Sequence, residues 1–298
     1  MTPSKEEISN YFRSLQDEIC ASLEKADTGG KFVEDKWTRE QGGGGRTRVL
    51  ENGNVIEKGA VNFSEVHGKL SDKMVTALGV DTADFFATGV SLIQHPINPM
   101  VPIVHMNVRY FELGNGTYWF GGGIDLTPHY VNKDDAKFFH TSLKNICDQF
   151  DTSYYTTFKE WADNYFFIKH RNETRGIGGM FFDKLAEDAV HTKQSRFDFV
   201  KGIGNSFSSV YTALMKKNKN LPYGENEKQW QLLRRGRYVE FNLVYDLGTK
   251  FGLETDGRIE SILLSLPKTA GWEYNVVPKQ GTKEFETVFF LKKGINWI

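Results

Sequence analysis

The chain has 298 residues, 37 basic and 38 acidic side chains, and a formal net charge of -1 at pH 7. That length supplies ample core for one large domain or two modest ones, and the charge balance gives no support to nucleic-acid or anionic-membrane binding. Aromatics make up 14% of the chain, which suits thick layered packing or a pocket for a flat ligand, and no apolar run reaches the roughly 18–20 residues a transmembrane helix needs.

The first segment, MTPSKEEISNYF, is acidic, lacks an apolar signal core and is poor in Arg. It therefore reads as neither a signal nor a transit peptide, and the expected compartment is the cytosol. Residues 4–25 predict a helix: Ser4 and Glu7 have capping-box spacing, and Ile8, Tyr11, Phe12, Leu15 and Ile19 form one apolar stripe. The glycine run 42–45 leads into short strands that Asn52-Gly53 joins as a hairpin turn. Strands are expected near 61–66, 89–94, 102–112 and 117–120, and helices near 133–149, 152–168, 196–217 and 226–235. Four more strands are expected at 237–246, 249–254, 259–266 and 286–291, joined by short turns. The whole predicts one α+β domain over 1–298: a large, mainly antiparallel sheet with helices on both faces. Cys20 and Cys147 fall in predicted helices without CxxC spacing and read as reduced core thiols.

Chemistry concentrates in four places. On strand 102–112, parity puts Ile103, His105, Asn107, Arg109 and Phe111 on one face and Val104, Met106, Val108 and Tyr110 on the other. The first face lines a cleft or meets solvent. Upstream, Ser91 and His95 approach a strand end that prolines turn into a loop. In YWFGGGIDLTP (118–128) three glycines permit a sharp bend or close approach of a ligand, and Asp125 is either a turn cap or a buried functional acid. Residues 159–183, KEWADNYFFIKHRNETRGIGGMFFD, mix dense aromatics with Lys169, His170, Arg171, Glu173 and Arg175 and stop at Asp183. Charges in such company must pair with each other or with a ligand, which points to an anionic, flat, mostly apolar one. Arg234, Arg235, Arg237 and Arg258, with Arg109 and Arg175, are enough to clamp several carboxylates. His140 lies on the apolar side of its helix as a core histidine. No HExxH, Walker A or strand–GxGxxG–helix unit is present, against a zinc hydrolase, a P-loop enzyme and a dinucleotide fold.

These strings resemble the oxygen-dependent coproporphyrinogen III oxidase family. GGGGRTRVLENGNVIEKGAVNFSEV, GVSLIQHPINPMVPIVHMNVRYFE, WFGGGIDLTP, the 159–183 segment, RRGRYVEFNLVYDLGTKFGLETDGRIESILLSLP and WEY occur in the family's order and cover residues 7–298. Ala162 stands where the family usually has Cys, and Asp256 where relatives often have a small residue. The resemblance implies conversion of coproporphyrinogen III to protoporphyrinogen IX: the ring A and B propionates become vinyl groups, O2 is the acceptor, and no organic cofactor is required. It implies that Ser91, Asn107, Val108, Arg109, Gly257 and Arg258 contact substrate, with Arg175 as a further carboxylate partner. His105 is implied as proton donor or acceptor, and Asp125 as a buried acceptor for the pyrrole N–H groups. His95, His105, His140 and His170 are the positions a divalent metal would use, with hydrogen bonding as their milder role. The family also implies a homodimer, with its interface expected in apolar strands within 238–272, and neither nucleic acid nor a membrane span.

Overall fold

In the computed structural model, which describes residues 2–70, 75–76, 79–80, 84–254 and 258–298, Ser4 starts helix α1 (Lys5–Asp27) as its spacing predicts. The Ser4 hydroxyl accepts from the Glu7 N–H and the Glu7 carboxylate accepts from the Ser4 N–H at 2.8 Å. The stripe of Ile8, Phe12, Leu15, Ile19 and Leu23 is buried. At the far end, the Asp27 carboxylate accepts backbone N–H groups of Gly30, Asn54, Val55 and Ile56, which ties the helix to the turn after Asn52-Gly53.

Strands β1 (Val33–Thr38), β2 (Gly43–Glu51), β3 (Ile56–Lys69), β4 (Asp84–Pro96), β5 (Ile103–Leu113) and β6 (Tyr118–Thr127) form a continuous antiparallel meander. Helices α2 (Lys133–Cys147) and α3 (Tyr154–Tyr165) follow, then a two-stranded ribbon of β7 (Phe167–Ile168) and β8 (Glu173–Thr174). Strand β9 (Gly179–Leu185) returns beside β6 and completes a seven-stranded sheet. The strands expected near 61–66 and 89–94 are the middles of β3 and β4, 102–112 matches β5 to within one residue, and 117–120 is the start of β6.

One sheet face carries Val61, Phe63, Val90, Leu92, Met106, Val108 and Tyr110 into the main core, against α1, α2, α3 and α4 (Lys193–Asn218). Each such side chain contributes about 1.5–3 kcal/mol by leaving water. The opposite face is covered only in part. Helix α5 (Glu225–Val244) and the segment around Leu264 pack Tyr238 and Leu264 on Ala60, Ile93 and Ile103. Helices therefore lie on both faces.

The carboxy-terminal strands expected at 237–246, 249–254, 259–266 and 286–291 are helices instead: α5 continues to Val244, then α6 (Leu247–Glu254), α7 (Ile259–Leu263) and α8 (Lys283–Phe290). The buried residues of α5 include Trp230, Leu233, Arg234, Tyr238 and Phe241, a helical spacing. Over 237–246 the buried residues are Tyr238, Phe241 and Asn242, three and four apart, so the segment continues the helix rather than starting a strand. The dimer interface expected in strands of 238–272 consequently has no strand to form on among the described residues.

Cys20 and Cys147 are free and buried, as expected. Burial pushes each thiol up to about 12, so neither supplies thiolate at neutral pH. Titration of the native protein with a thiol-reactive disulfide should label neither within minutes, and denaturant should release both. Fast labelling in the native state would contradict this burial.

Candidate active site

Strand β5 alternates as its parity predicts: Val104, Met106, Val108 and Tyr110 are buried in the core, and His105, Asn107, Arg109 and Phe111 are half-buried on the other face. The register carries this open face across the sheet. Asp35, Thr47, Asn62, Ser91, Asn107, Gly123 and Phe181 are successive cross-strand partners from β1 to β9. Two residues along, the partners are Trp37, Gly45, Ser64, Gly89, Arg109 and Gly121. Every second strand contributes a glycine there. A Cβ at Gly89 would stand 3.0 Å from the Arg109 Cβ, and one at Gly45 would stand 2.5 Å from the Trp37 ring. The neighbouring side chains lean inward over these positions, and the missing Cβ atoms leave a shallow floor.

Aromatic rings border this floor. Phe111 stacks on Trp119 with centroids 4.5 Å apart, and Phe181 stacks on Tyr165 at 4.3 Å. Arg109 rises from β5, its Nη1 donating to Asn107 Oδ1 and its Nη2 to Asp183 Oδ1, both at 2.9 Å. Arg258, just before α7, donates to Asp35 and Thr47 and lies over Trp37. Arg109 from β5 and Arg258 beside β1 and β2 thus both border this trough, the open face of the sheet.

At one end of the trough the third row brings His105 opposite Asp125. His105 Nδ1 lies 2.9 Å from Asp125 Oδ1; Arg175 Nη2 donates to the same oxygen at 2.7 Å and its Nε to Oδ2 at 3.0 Å. Burial alone pushes the Asp125 carboxyl up, but the Arg175 charge and the His105 hydrogen bond outweigh it and hold the group below its ordinary value. Asp125 is thus an ionised, buried acid rather than a turn cap. Because the carboxylate can only accept, His105 Nδ1 carries the hydrogen of this bond, which leaves Nε2 as the ring atom free to meet a ligand. Nε2 has no hydrogen-bond partner among the described residues.

Several sequence expectations change. The Arg175 side chain is 1% exposed, sandwiched between Phe166, Tyr238 and Phe241, and committed to Asp125. It buttresses the site and cannot clamp a substrate carboxylate. Both Asp125 oxygens are engaged by protein donors and the residue is 1% exposed, so it reaches the open face through His105. Val108 points into the core, leaving only its backbone on the strand for contact. Arg234 pairs with Glu173, Arg235 with Glu57 and Arg237 with Glu240, so these three serve the scaffold. Gly257 and Asp256 lie outside the described residues. Ser91, Asn107 and Arg109 stand on the open sheet face, and Arg258 meets it at Asp35 and Thr47.

The four histidines considered for metal do not converge. His95 is buried with Nε2 on the Ser265 carbonyl, and burial lowers it to about 3. His140 is bound at Nδ1 by Tyr155 and at Nε2 by the Ile177 carbonyl, as a core histidine should be. His170 lies between Tyr245 and Glu240. Among the described residues no group of three His, Cys, Asp or Glu is placed to hold a metal ion. Sequence reasoning missed Trp37, Asp35 and the Gly45/Gly89 pair. Strand register was the signal needed, and it cannot be read until the pairing is known.

A family model described as coproporphyrinogen III oxidase matches residues 7–297. The chain is also 45% identical over 312 aligned residues to a soybean (Glycine max) protein named oxygen-dependent coproporphyrinogen-III oxidase, chloroplastic, covering 100% of this chain and 80% of the relative.

Proposed function

The chain belongs to the coproporphyrinogen III oxidase family, and from that premise we propose how its trough takes and processes the substrate. The activity is oxygen-dependent oxidation of coproporphyrinogen III to protoporphyrinogen IX in haem biosynthesis. Each of two propionate carboxylates loses CO2 and a hydride equivalent as it becomes a vinyl group; O2 accepts the two electrons and, with a proton from solvent, leaves as hydrogen peroxide.

The single observation behind the residue assignments is that Arg109, Asn107, Ser91, His105 and Arg258 stand on one glycine-floored sheet face. A puckered tetrapyrrole lies on this floor against the aromatic rim, and Arg109 and Arg258 receive propionates from opposite sides. Ser91 and Asn107 supply hydrogen bonds between them. His105 Nε2 takes up a pyrrole N–H proton, which makes that ring more reactive toward O2, and returns it once the vinyl group has formed; Asp125 holds the imidazole and offsets the charge it gains. A porphyrinogen is electron-rich enough to react with O2 directly, so we assign the protein orientation and proton transfer and no organic cofactor. The soybean relative is named chloroplastic. Among the described residues no helix is long and apolar enough to cross a membrane. Exposed Leu243, Val244, Leu247 and Ile259 support a homodimer through the end of α5 with α6 and α7.

The test is incubation of purified protein with coproporphyrinogen III in air, with and without chelator, and separation of products by carboxyl number. The expected product carries two carboxyls, with matching O2 uptake and no effect of chelator. Tight porphyrin binding without O2 uptake would make the chain a carrier, and loss of activity with chelator would bring a metal into the reaction.

A further inference from the structure

Both trough arginines already hold a carboxylate of the protein itself. Arg258 holds Asp35 from the edge strand, and Arg109 holds Asp183 from the far side of β6. The second pair has been given room to form. Arg109 on β5 and Asp183 on β9 are separated by β6, and their side chains meet above Gly121. A Cβ at Gly121 would stand 2.5 Å from Asp183 Oδ1 and 2.8 Å from Arg109 Nε. Glycine at this position therefore lets the pair close. The pair is also half in solvent, with the Arg109 side chain 37% and the Asp183 side chain 31% exposed. It is not a buried scaffold bridge like that of Asp125 and Arg175, which are 2% and 1% exposed. An exposed ion pair of this kind adds little to stability. Its effect falls on whatever anion next approaches Arg109.

We propose that Asp183 is a positioning residue that serves as the resident counter-ion of Arg109: it holds the guanidinium across Gly121 while the trough is empty and competes with the substrate carboxylate for it. The assignment rests on the reading of Arg109 as a propionate clamp. With Asp183 in place, an arriving propionate exchanges one carboxylate partner for another. It meets an already paired cation, and the negative charge of Asp183 remains within a few ångströms. The affinity of the trough for a polyacid is thereby held down, and Arg109 is never left bare when the ligand departs. Asn107, which binds the other terminal nitrogen, keeps the guanidinium plane fixed during the exchange.

The consequence is unusual for a residue bonded to a binding-site arginine: removing its charge should strengthen binding. Asp183→Asn keeps an oxygen that can accept from Arg109 Nη2 and deletes only the charge. Fluorescence titration with coproporphyrin III, the stable oxidised tetra-acid, should show D183N binding about twofold to tenfold more tightly than wild type at low salt. The advantage should shrink at high salt. The tetramethyl ester, which offers no carboxylate to exchange, should bind both proteins equally and so reports an intact trough. In turnover, KM should fall while kcat does not rise. Asp183→Ser, smaller and uncharged, should behave in the same direction if the asparagine variant folds poorly. Unchanged or weaker binding of the tetra-acid by both variants, with the ester still bound, would overturn the counter-ion role. An Arg109→Met control separates the premises. If it leaves tetra-acid binding unchanged, the clamp itself falls and the counter-ion role with it. If it weakens binding while D183N does not tighten it, only the counter-ion role falls.

Discussion

Asp125→Asn should leave a protein that binds the tetrapyrrole and turns it over about 10²- to 10⁴-fold more slowly, because it removes the charge that supports His105 as a base. In the native site the carboxylate accepts from Arg175 on both oxygens and from His105 Nδ1 on one of them. An asparagine has one oxygen, and at the Oδ1 position it still accepts from Arg175 Nη2 and His105 Nδ1. The amide NH2 then faces Arg175 Nε, where donor meets donor. The imidazole keeps its orientation but loses the negative charge that offsets the proton it gains, so Nε2 becomes a weaker base. The same substitution strands half of a buried ion pair, which costs about 3–5 kcal/mol. A clear drop in melting temperature should accompany the loss of turnover. The pH dependence carries a sign. The Asp125 value is depressed in the folded protein, so its stabilisation is fully present above the unfolded carboxyl value of about 3.9 and is lost as pH falls through the folded one. The stability gap between wild type and D125N should therefore be constant near neutrality and close only below about pH 4. Full activity in D125N would remove Asp125 from the mechanism.

Much of this was legible in the sequence, for identifiable reasons. β5 alternates strictly, so the face holding His105, Asn107 and Arg109 could be read from parity, and the capping box of α1 could be read from two residues. Asp125 between Ile124 and Leu126 could be read only as cap or buried acid, since its partner Arg175 lies fifty residues on, across an excursion of two helices and a ribbon. For the same reason Arg109 and Arg175 look alike in sequence: both sit among aromatics near glycines. Their burial differs because α5 closes over Arg175 with Tyr238 and Phe241, and α5 was itself misread beyond residue 235. The glycine pattern of the floor needs the register of five strands before Gly45, Gly89 and Gly121 fall into one row.

That difference in burial turns the two arginines into separable experiments. Arg109→Ala removes a guanidinium that is more than a third exposed and pairs with an equally hydrated Asp183. Breaking such a pair changes stability by only about 0–1 kcal/mol, so the melting temperature should hardly move. The substrate propionate, drawn toward a partly desolvated trough, loses its bidentate partner. Truncating one side of a buried ligand ion pair costs 2–5 kcal/mol or more, and the exposure of Arg109 puts the expectation at the low end, about 2–3 kcal/mol or roughly 30- to 150-fold in kcat/KM. Arg109→Lys should recover only part of this, because one ammonium on a flexible stem cannot bond Asn107 and Asp183 and still present a planar fork. Both variants should be compared with wild type by steady-state kinetics and by thermal denaturation on the same preparations. Activity lost with the fold intact is the signature of a clamp; an unchanged kcat/KM would dismiss it. Arg175 cannot give that signature, since its charge is buried against Asp125 and three aromatic rings, and a loss of activity there would be inseparable from a loss of fold.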